Sequence, residues 1–171
     1  MSVAAAVRAD LPSVLTLNND AVPAVNALDQ DDLTALLDWG RLTVVRGSDG
    51  SVGAALLTIP AGKPYKSLNY QWFGGRYDNF LYVDRIVVAP AARGSGFGRQ
   101  LYEEAMVFAA QKDVARICCE VNTDPPNPGS MAFHNRMGFE ILVERFNPES
   151  GKTVAMMTRP TTSAAPVERT A

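Results

Sequence analysis

The chain has 171 residues, 47% of them hydrophobic, with 16 Lys and Arg against 18 Asp and Glu for a formal charge of −2. That is enough length for one domain and enough apolar content for a buried core, so disorder is not the default expectation. The balanced charge argues against a nucleic-acid backbone as partner, which favours a basic surface, and against a polybasic membrane face.

Met1–Val7 lacks the basic start and long apolar run of a secretory leader. No stretch approaches the ~20 apolar residues needed to span a bilayer, so a cytoplasmic protein is expected. Leu11–Asn18 and Asp31–Leu37 read as short helices, the second with Asp31 or Asp32 as cap, and Asn18-Asn19-Asp20 and Pro23 mark a break between them. Leu42–Arg46 and Val52–Ile59 form a predicted hairpin around Gly47-Ser48-Asp49-Gly50. Residues 60–78 read as a long connection carrying Tyr65, Tyr70, Trp72, Phe73 and Tyr77. Those aromatics either pack the loop onto the core or line a substrate pocket.

Phe80–Val88 is a near-continuous apolar run stopped by Pro90, as expected of a central strand. A helix of about four turns follows to Lys112, with Phe97, Leu101, Ala105 and Phe108 as its apolar stripe. Arg116–Val121 is a second buried strand, and Ser130–Met137 a short helix closed by Gly138. Strands around Glu140–Arg145 and Thr153–Thr158 complete the pattern. The expected fold is α/β (α+β): one domain over residues 1–159, a mixed sheet flanked by helices, then a Thr/Ala/Pro-rich disordered tail over 160–171. Pairing through the last strands makes a homodimer an expectation. Cys118 and Cys119 are adjacent and point to opposite strand faces, and the chain has a single histidine, so neither a disulfide nor a metal centre is expected.

The most informative segment is Arg93-Gly94-Ser95-Gly96-Phe97-Gly98-Arg99, where a strand ends and a helix begins. Helix-start N–H groups suit a phosphate or pyrophosphate, Arg93 and Arg99 add charge, and Ser95 can donate one more bond. Gly-x-Gly-x-Gly is not the dinucleotide fingerprint, whose last glycine position is Arg99 here, and no Gly-Lys-Ser/Thr follows. A nucleotide-binding module is therefore the weaker reading, and a purely structural glycine turn is the bland one.

Arg93, Gly96 and Gly98 fill the fixed positions of Arg/Gln-x-x-Gly-x-Gly/Ala, and the segment resembles the cofactor loop of the GNAT superfamily of acetyl-CoA-dependent N-acetyltransferases. Ile86-Val87-Val88 resembles the strand end that pairs with the pantetheine arm in that family. Asn127, Ser130, His134, Gly138 and Phe139 match a second family pattern downstream. The resemblance covers residues 80–145 well and the first eighty only in coarse layout. It implies a mixed, mostly antiparallel sheet and transfer of acetyl from acetyl-CoA to a small-molecule amine or a peptide N-terminus. A non-catalytic acyl-CoA sensor on the same fold is the alternative.

Acetyl transfer needs a neutral amine, a donor for the developing oxyanion and a proton for the departing thiolate. Where most of the family has a tyrosine acid, this chain has His134, which can act as acid or base or merely pack beneath the cofactor. Two carboxylates compete for the base. Glu120 resembles the base position of ribosomal-protein N-terminal acetyltransferases. Asp84 lies in an apolar strand near the expected thioester site, or else forms a structural ion pair. A water chain is the third option. Asn127 and Ser130 either hold the cofactor arm or cap the helix. Asn18, Asn19, Tyr70, Trp72 and Phe73 are expected to line the acceptor pocket.

Overall fold

In Val44–Val45 and Ala54–Leu57 consecutive apolar residues leave no polar face, the pattern of strands covered on both sides. The structure is a computed structural model that describes residues 1–161. Its strands are β1 (Ser2–Ala5), β2 (Arg41–Arg46), β3 (Val52–Pro60), β4 (Leu81–Val88), β5 (Arg116–Asp124), β6 (Glu140–Asn147) and β7 (Lys152–Pro160). They form one sheet in the order β1-β2-β3-β4-β5-β7-β6. Only β4 and β5 run parallel; the other neighbours are antiparallel.

The helices are α1 (Leu11–Asp20), α2 (Gln30–Leu37), α3 (Leu68–Gly74), α4 (Phe97–Gln111) and α5 (Pro128–Arg136). Neighbours along a strand feed opposite cores, as a period of two requires. Leu57, Tyr82 and Met156 pack with Leu33 and Phe73 from α2 and α3. Leu56, Leu81 and Met157 pack with Leu101 and Tyr102 from α4. The α4 stripe continues through Ala109; Phe108 is only partly buried, beneath the Arg41 guanidinium at 4.6 Å.

The first residues form an edge strand, β1, paired with β2. Three expectations are corrected. α1 runs through the Asn-Asn-Asp break to Asp20. The cap of α2 is Asp29, whose carboxylate accepts from the Asp32 N–H at 2.8 Å while Asp32 accepts from the Asp29 N–H at 3.2 Å. The domain extends beyond residue 159: Pro160 closes β7 and the Thr161 N–H donates to Ala115 O at 3.1 Å. Residues 162–171 of the expected tail lie outside the described residues.

The connection over 60–78 is not structureless. Ser67 Oγ accepts from the Tyr70 N–H at 3.3 Å and starts α3, which buries Tyr70 and Phe73 against Phe80 and Tyr82. Phe73 is fully enclosed. Phe73→Ala is expected to cost about 4 kcal/mol through lost burial and the cavity left behind. Urea unfolding of the two proteins checks this.

Candidate active site

β4 and β5 pair only at Leu81↔Ile117 and Tyr82↔Cys118. Beyond those pairs they separate, and a bulge lies where they part. Thr58 of β3 faces Val83 and Leu57 faces Arg85, so Asp84 has no partner across the ladder. An extra residue bends its strand and increases the local twist. The opening is a cavity of about 410 Å³ lined by residues 82–86 of β4, residues 119–122 of β5, Tyr102 and His134.

The glycine turn lies past the Ile86 end of this cavity. After a short 3-10 turn at Pro90–Ala92, Gly94 and Gly96 have φ of +79° and +80°, and Gly96 is the N-cap of α4. A side chain is strained in that backbone region. Gly98 is tight for a different reason: a Cβ there would lie 3.2 Å from Phe133 Cζ of α5, so the ring would have to give by a few tenths of an ångström. Arg93, Ser95 and Arg99 are exposed, and Arg99 Nε donates to Glu103 at 2.7 Å. Val87 and Phe97 turn their side chains into the core and so offer a ligand only backbone groups. Val88 packs on the α4 side of the sheet, while Ile86 also lines the cavity.

Of the two carboxylates, Glu120 faces the cavity and accepts the Tyr82 hydroxyl at 2.8 Å to each oxygen. Burial pushes its pKa up to about 7, helped by the Asp84 charge and opposed by hydrogen bonds from Tyr82 and Asn69. Asp84 is held differently. Arg85 Nε donates to it at 2.7 Å, and the Tyr65 hydroxyl donates to its other oxygen. Arg85 Nη1 in turn reaches Asn18 Oδ1 at 3.0 Å and Asn26 O at 3.1 Å. Burial, with the Asp84 charge beside it, raises the Tyr65 pKa and keeps that phenol protonated.

His134 is 3% exposed, with the rings of Tyr102, Phe133 and Phe139 edge-on around it at 5.2–5.4 Å. Nδ1 lies 2.8 Å from Ser130 O, and Nε2 lies 2.7 Å from the Tyr102 hydroxyl. Burial holds its pKa below the usual histidine value. Asn127 caps α5 by accepting from the Ser130 N–H at 3.2 Å. Asn127 and Ser130 also line the cavity.

None of the residues expected to line an acceptor pocket lines this cavity. Asn18 and Asn19 do not line this cavity; their side chains fix the loop after α1, bonding Asn26 O at 3.0 Å and Leu28 O at 2.9 Å. Tyr70 and Phe73 are core residues, and Trp72 packs beside Arg76 and Arg145. Residues 24–26, Tyr65 and Asn69 line the cavity instead. The turn between β6 and β7 lies over these residues: Lys152 Nζ donates to Pro23 O at 2.6 Å, and Glu149 accepts from the Leu68 N–H at 3.3 Å.

A sequence model of the acetyltransferase (GNAT) family matches residues 16–139. Among solved structures, the ribosomal-protein-S18-alanine N-acetyltransferase of Escherichia coli is 16% identical, with a TM-score of 0.72 over 97% of each chain. The ribosomal-protein-alanine N-acetyltransferase of Brucella melitensis is 23% identical, with a TM-score of 0.73 over 94% of this chain and 99% of that one. A nourseothricin acetyltransferase is 20% identical, with a TM-score of 0.68 over 94% and 98%. These three likenesses concern the fold. No curated protein matches the chain.

Proposed function

The chain belongs to the acetyltransferase (GNAT) family, and from that premise we propose that it moves the acetyl group of acetyl-CoA directly to a primary amine in a ternary complex. The observation that carries this reading is Glu120, a carboxylate with a pKa of about 7 on the wall of the cavity where β4 and β5 part. A base with that pKa is half ionised at neutral pH and can take a proton from an incoming ammonium.

The residues around the glycine turn fit a pyrophosphate. Space is open around Gly94 and Gly96, no atom standing within 4 Å of where a Cβ would be, and the first N–H groups of α4 follow immediately. Arg93 and Arg99 flank the turn with positive charge, and Ser95 adds a donor. Acetyl-CoA supplies the activated acyl group as a thioester. Ile86, Asn127 and Ser130 line the route from the turn to Glu120. The relatives named above act on acceptors as different as a ribosomal-protein alanine and nourseothricin. Both a small amine and a peptide amino terminus belong in the acceptor screen.

Asp84 is assigned a structural role. Arg85 and Tyr65 occupy its oxygens, and the Arg85 contacts tie β4 to the loop after α1. Asp84→Asn is expected to lower kcat by no more than about tenfold, well short of the 10²–10⁴ lost with a general base. A larger kcat loss with unchanged acetyl-CoA binding would make Asp84 the base. Thiol release from acetyl-CoA across a panel of amines tests the function itself. Acetyl-CoA binding without thiol release from any acceptor would leave a sensor domain.

A further inference from the structure

The sheet face that carries Glu120 continues as a polar track toward the turn between β6 and β7. Residues directly opposite one another, and every second residue along a strand, share a face. Glu120 is opposite Met156, Asn122 opposite Val154, and Asn147 opposite Lys152. Glu120, Asn122 and the pair Asn147 and Lys152 therefore share one face, and all four line the cavity. Asn147 is 8% exposed, and its Oδ1 accepts from the Glu149 N–H at 2.9 Å. Its Nδ2 has no hydrogen-bond partner among the described residues. Nor is Nδ2 sealed in the core, since Thr123 Oγ1 is the one buried side-chain polar atom without a partner among those residues. It is an unused donor open to the cavity that Asn147 lines. Lys152 Nζ has three donors, gives one to Pro23 O at 2.6 Å, and has no ion-pair partner among the described residues. The carboxylates nearby are otherwise engaged: Asp84 pairs with Arg85, and Glu149 accepts from the Leu68 N–H. A spare amide donor beside a spare ammonium is a site for an anionic oxygen.

We propose that the acceptor is a primary amine with a carboxylate several bonds from its nitrogen, the nitrogen at Glu120 and the carboxylate at Asn147 and Lys152. It rests on the N-acetyltransferase reading and names the substrate class. The strand spacing sets the length. On β7, Met156 beside Glu120 and Lys152 beside Asn147 are four residues apart, about 13 Å at ~3.3 Å per residue. Asn147 is a short side chain and Lys152 Nζ is held at Pro23 O, so neither closes that gap. In a free α-amino acid a single carbon separates nitrogen from carboxylate, too little to engage both ends. An ω-amino acid or a dipeptide is long enough. Asn122, between the two ends, has no side-chain partner among the described residues and can bond a polar group midway. An alkylamine of equal length would leave Asn147 Nδ2 without a partner, an unfavourable state for a donor on a mostly buried side chain.

The test is thiol release from acetyl-CoA with ω-amino acids, from glycine up to a six-methylene spacer, each set beside the alkylamine of equal length. The expected kcat/KM rises from glycine to a maximum at about four methylenes or more. There the amino acid should exceed its alkylamine by about tenfold or more, the scale of a hydrogen bond to a charged group. Asn147→Asp keeps an acceptor for the Glu149 N–H and replaces the spare donor with a negative oxygen. The ratio of amino-acid to alkylamine kcat/KM should then fall by about tenfold or more. Lys152→Met, which keeps most of the stem and loses the charge, should lower the same ratio. Both rates are read on one sample, so a loss of folded protein cancels in the ratio. A maximum at glycine, alkylamines equal to the amino acids at every length, or a ratio unmoved in both variants overturns the carboxylate site alone. Failure of every amine in the series and in the wider panel to release thiol overturns the N-acetyltransferase reading, and the site with it.

Discussion

Glu120→Gln is expected to lose about 100-fold or more in kcat/KM, the scale of a missing general base, while making the folded protein more stable above neutral pH. The two effects have one cause. Burial raises the Glu120 pKa from 4.5 to about 7, so the folded state binds this proton more tightly than the unfolded chain does. Stability from this group is fully present below pH 4.5 and is lost as pH rises through the window from 4.5 to about 7. Over that whole window the loss is about 3 kcal/mol. A glutamine has no charge to desolvate, and its amide oxygen still accepts the Tyr82 hydroxyl. Urea unfolding at pH 5 and pH 8 should therefore show wild type and variant converging at low pH and the variant ahead at high pH. The wild-type rate should rise with pH through about 7 as Glu120 ionises; the variant should lack that rise.

Gly96→Glu is expected to weaken acetyl-CoA binding by about 100-fold or more, through a carboxylate placed where the helix start favours an anion. Nothing stands within 4 Å of the Cβ position, so the new side chain fits sterically. Its φ of +80° makes any L side chain strained, at about 1–2 kcal/mol. Gly96→Asn separates strain from charge, because Asn adopts this region more readily and adds no charge. Calorimetric titration with acetyl-CoA should rank wild type, Gly96→Asn and Gly96→Glu in falling affinity, with the large step at glutamate. Equal losses in both variants would trace the effect to backbone strain instead.

The glycine turn was legible in the sequence because its geometry is local. Positive φ at Gly96, just before the helix, favours glycine, and a close approach at Gly98, in its first turn, favours a small residue. The two buried strands were legible too, since apolar runs covered on both faces carry no polar alternation. Glu120 and Asp84 could not be ranked because each is a lone carboxylate in an apolar strand. What separates them is the bulge opposite Leu57 and Thr58 and an arginine tied to Asn18, relations between strands and loops far apart in the chain. Tyr102 escaped notice beside Leu101 on the apolar stripe of α4, where an aromatic reads as core; only the packing of α5 onto α4 brings its hydroxyl to His134. α3 was missed because a seven-residue helix is too short to establish a period, although Ser67 stands as its cap. The aromatics there do mostly what the packing reading of that segment expected.

Thermal unfolding of the purified chain with acetyl-CoA, set against NAD, ATP and no ligand, tests most directly whether this cavity and turn serve acetyl-CoA. A ligand that binds only the folded state adds about 2.7 kcal/mol at 100 times its dissociation constant. The predicted result is a clear rise in Tm with acetyl-CoA alone, absent in Gly96→Glu. No rise with acetyl-CoA, or an equal rise with NAD or ATP, would contradict it.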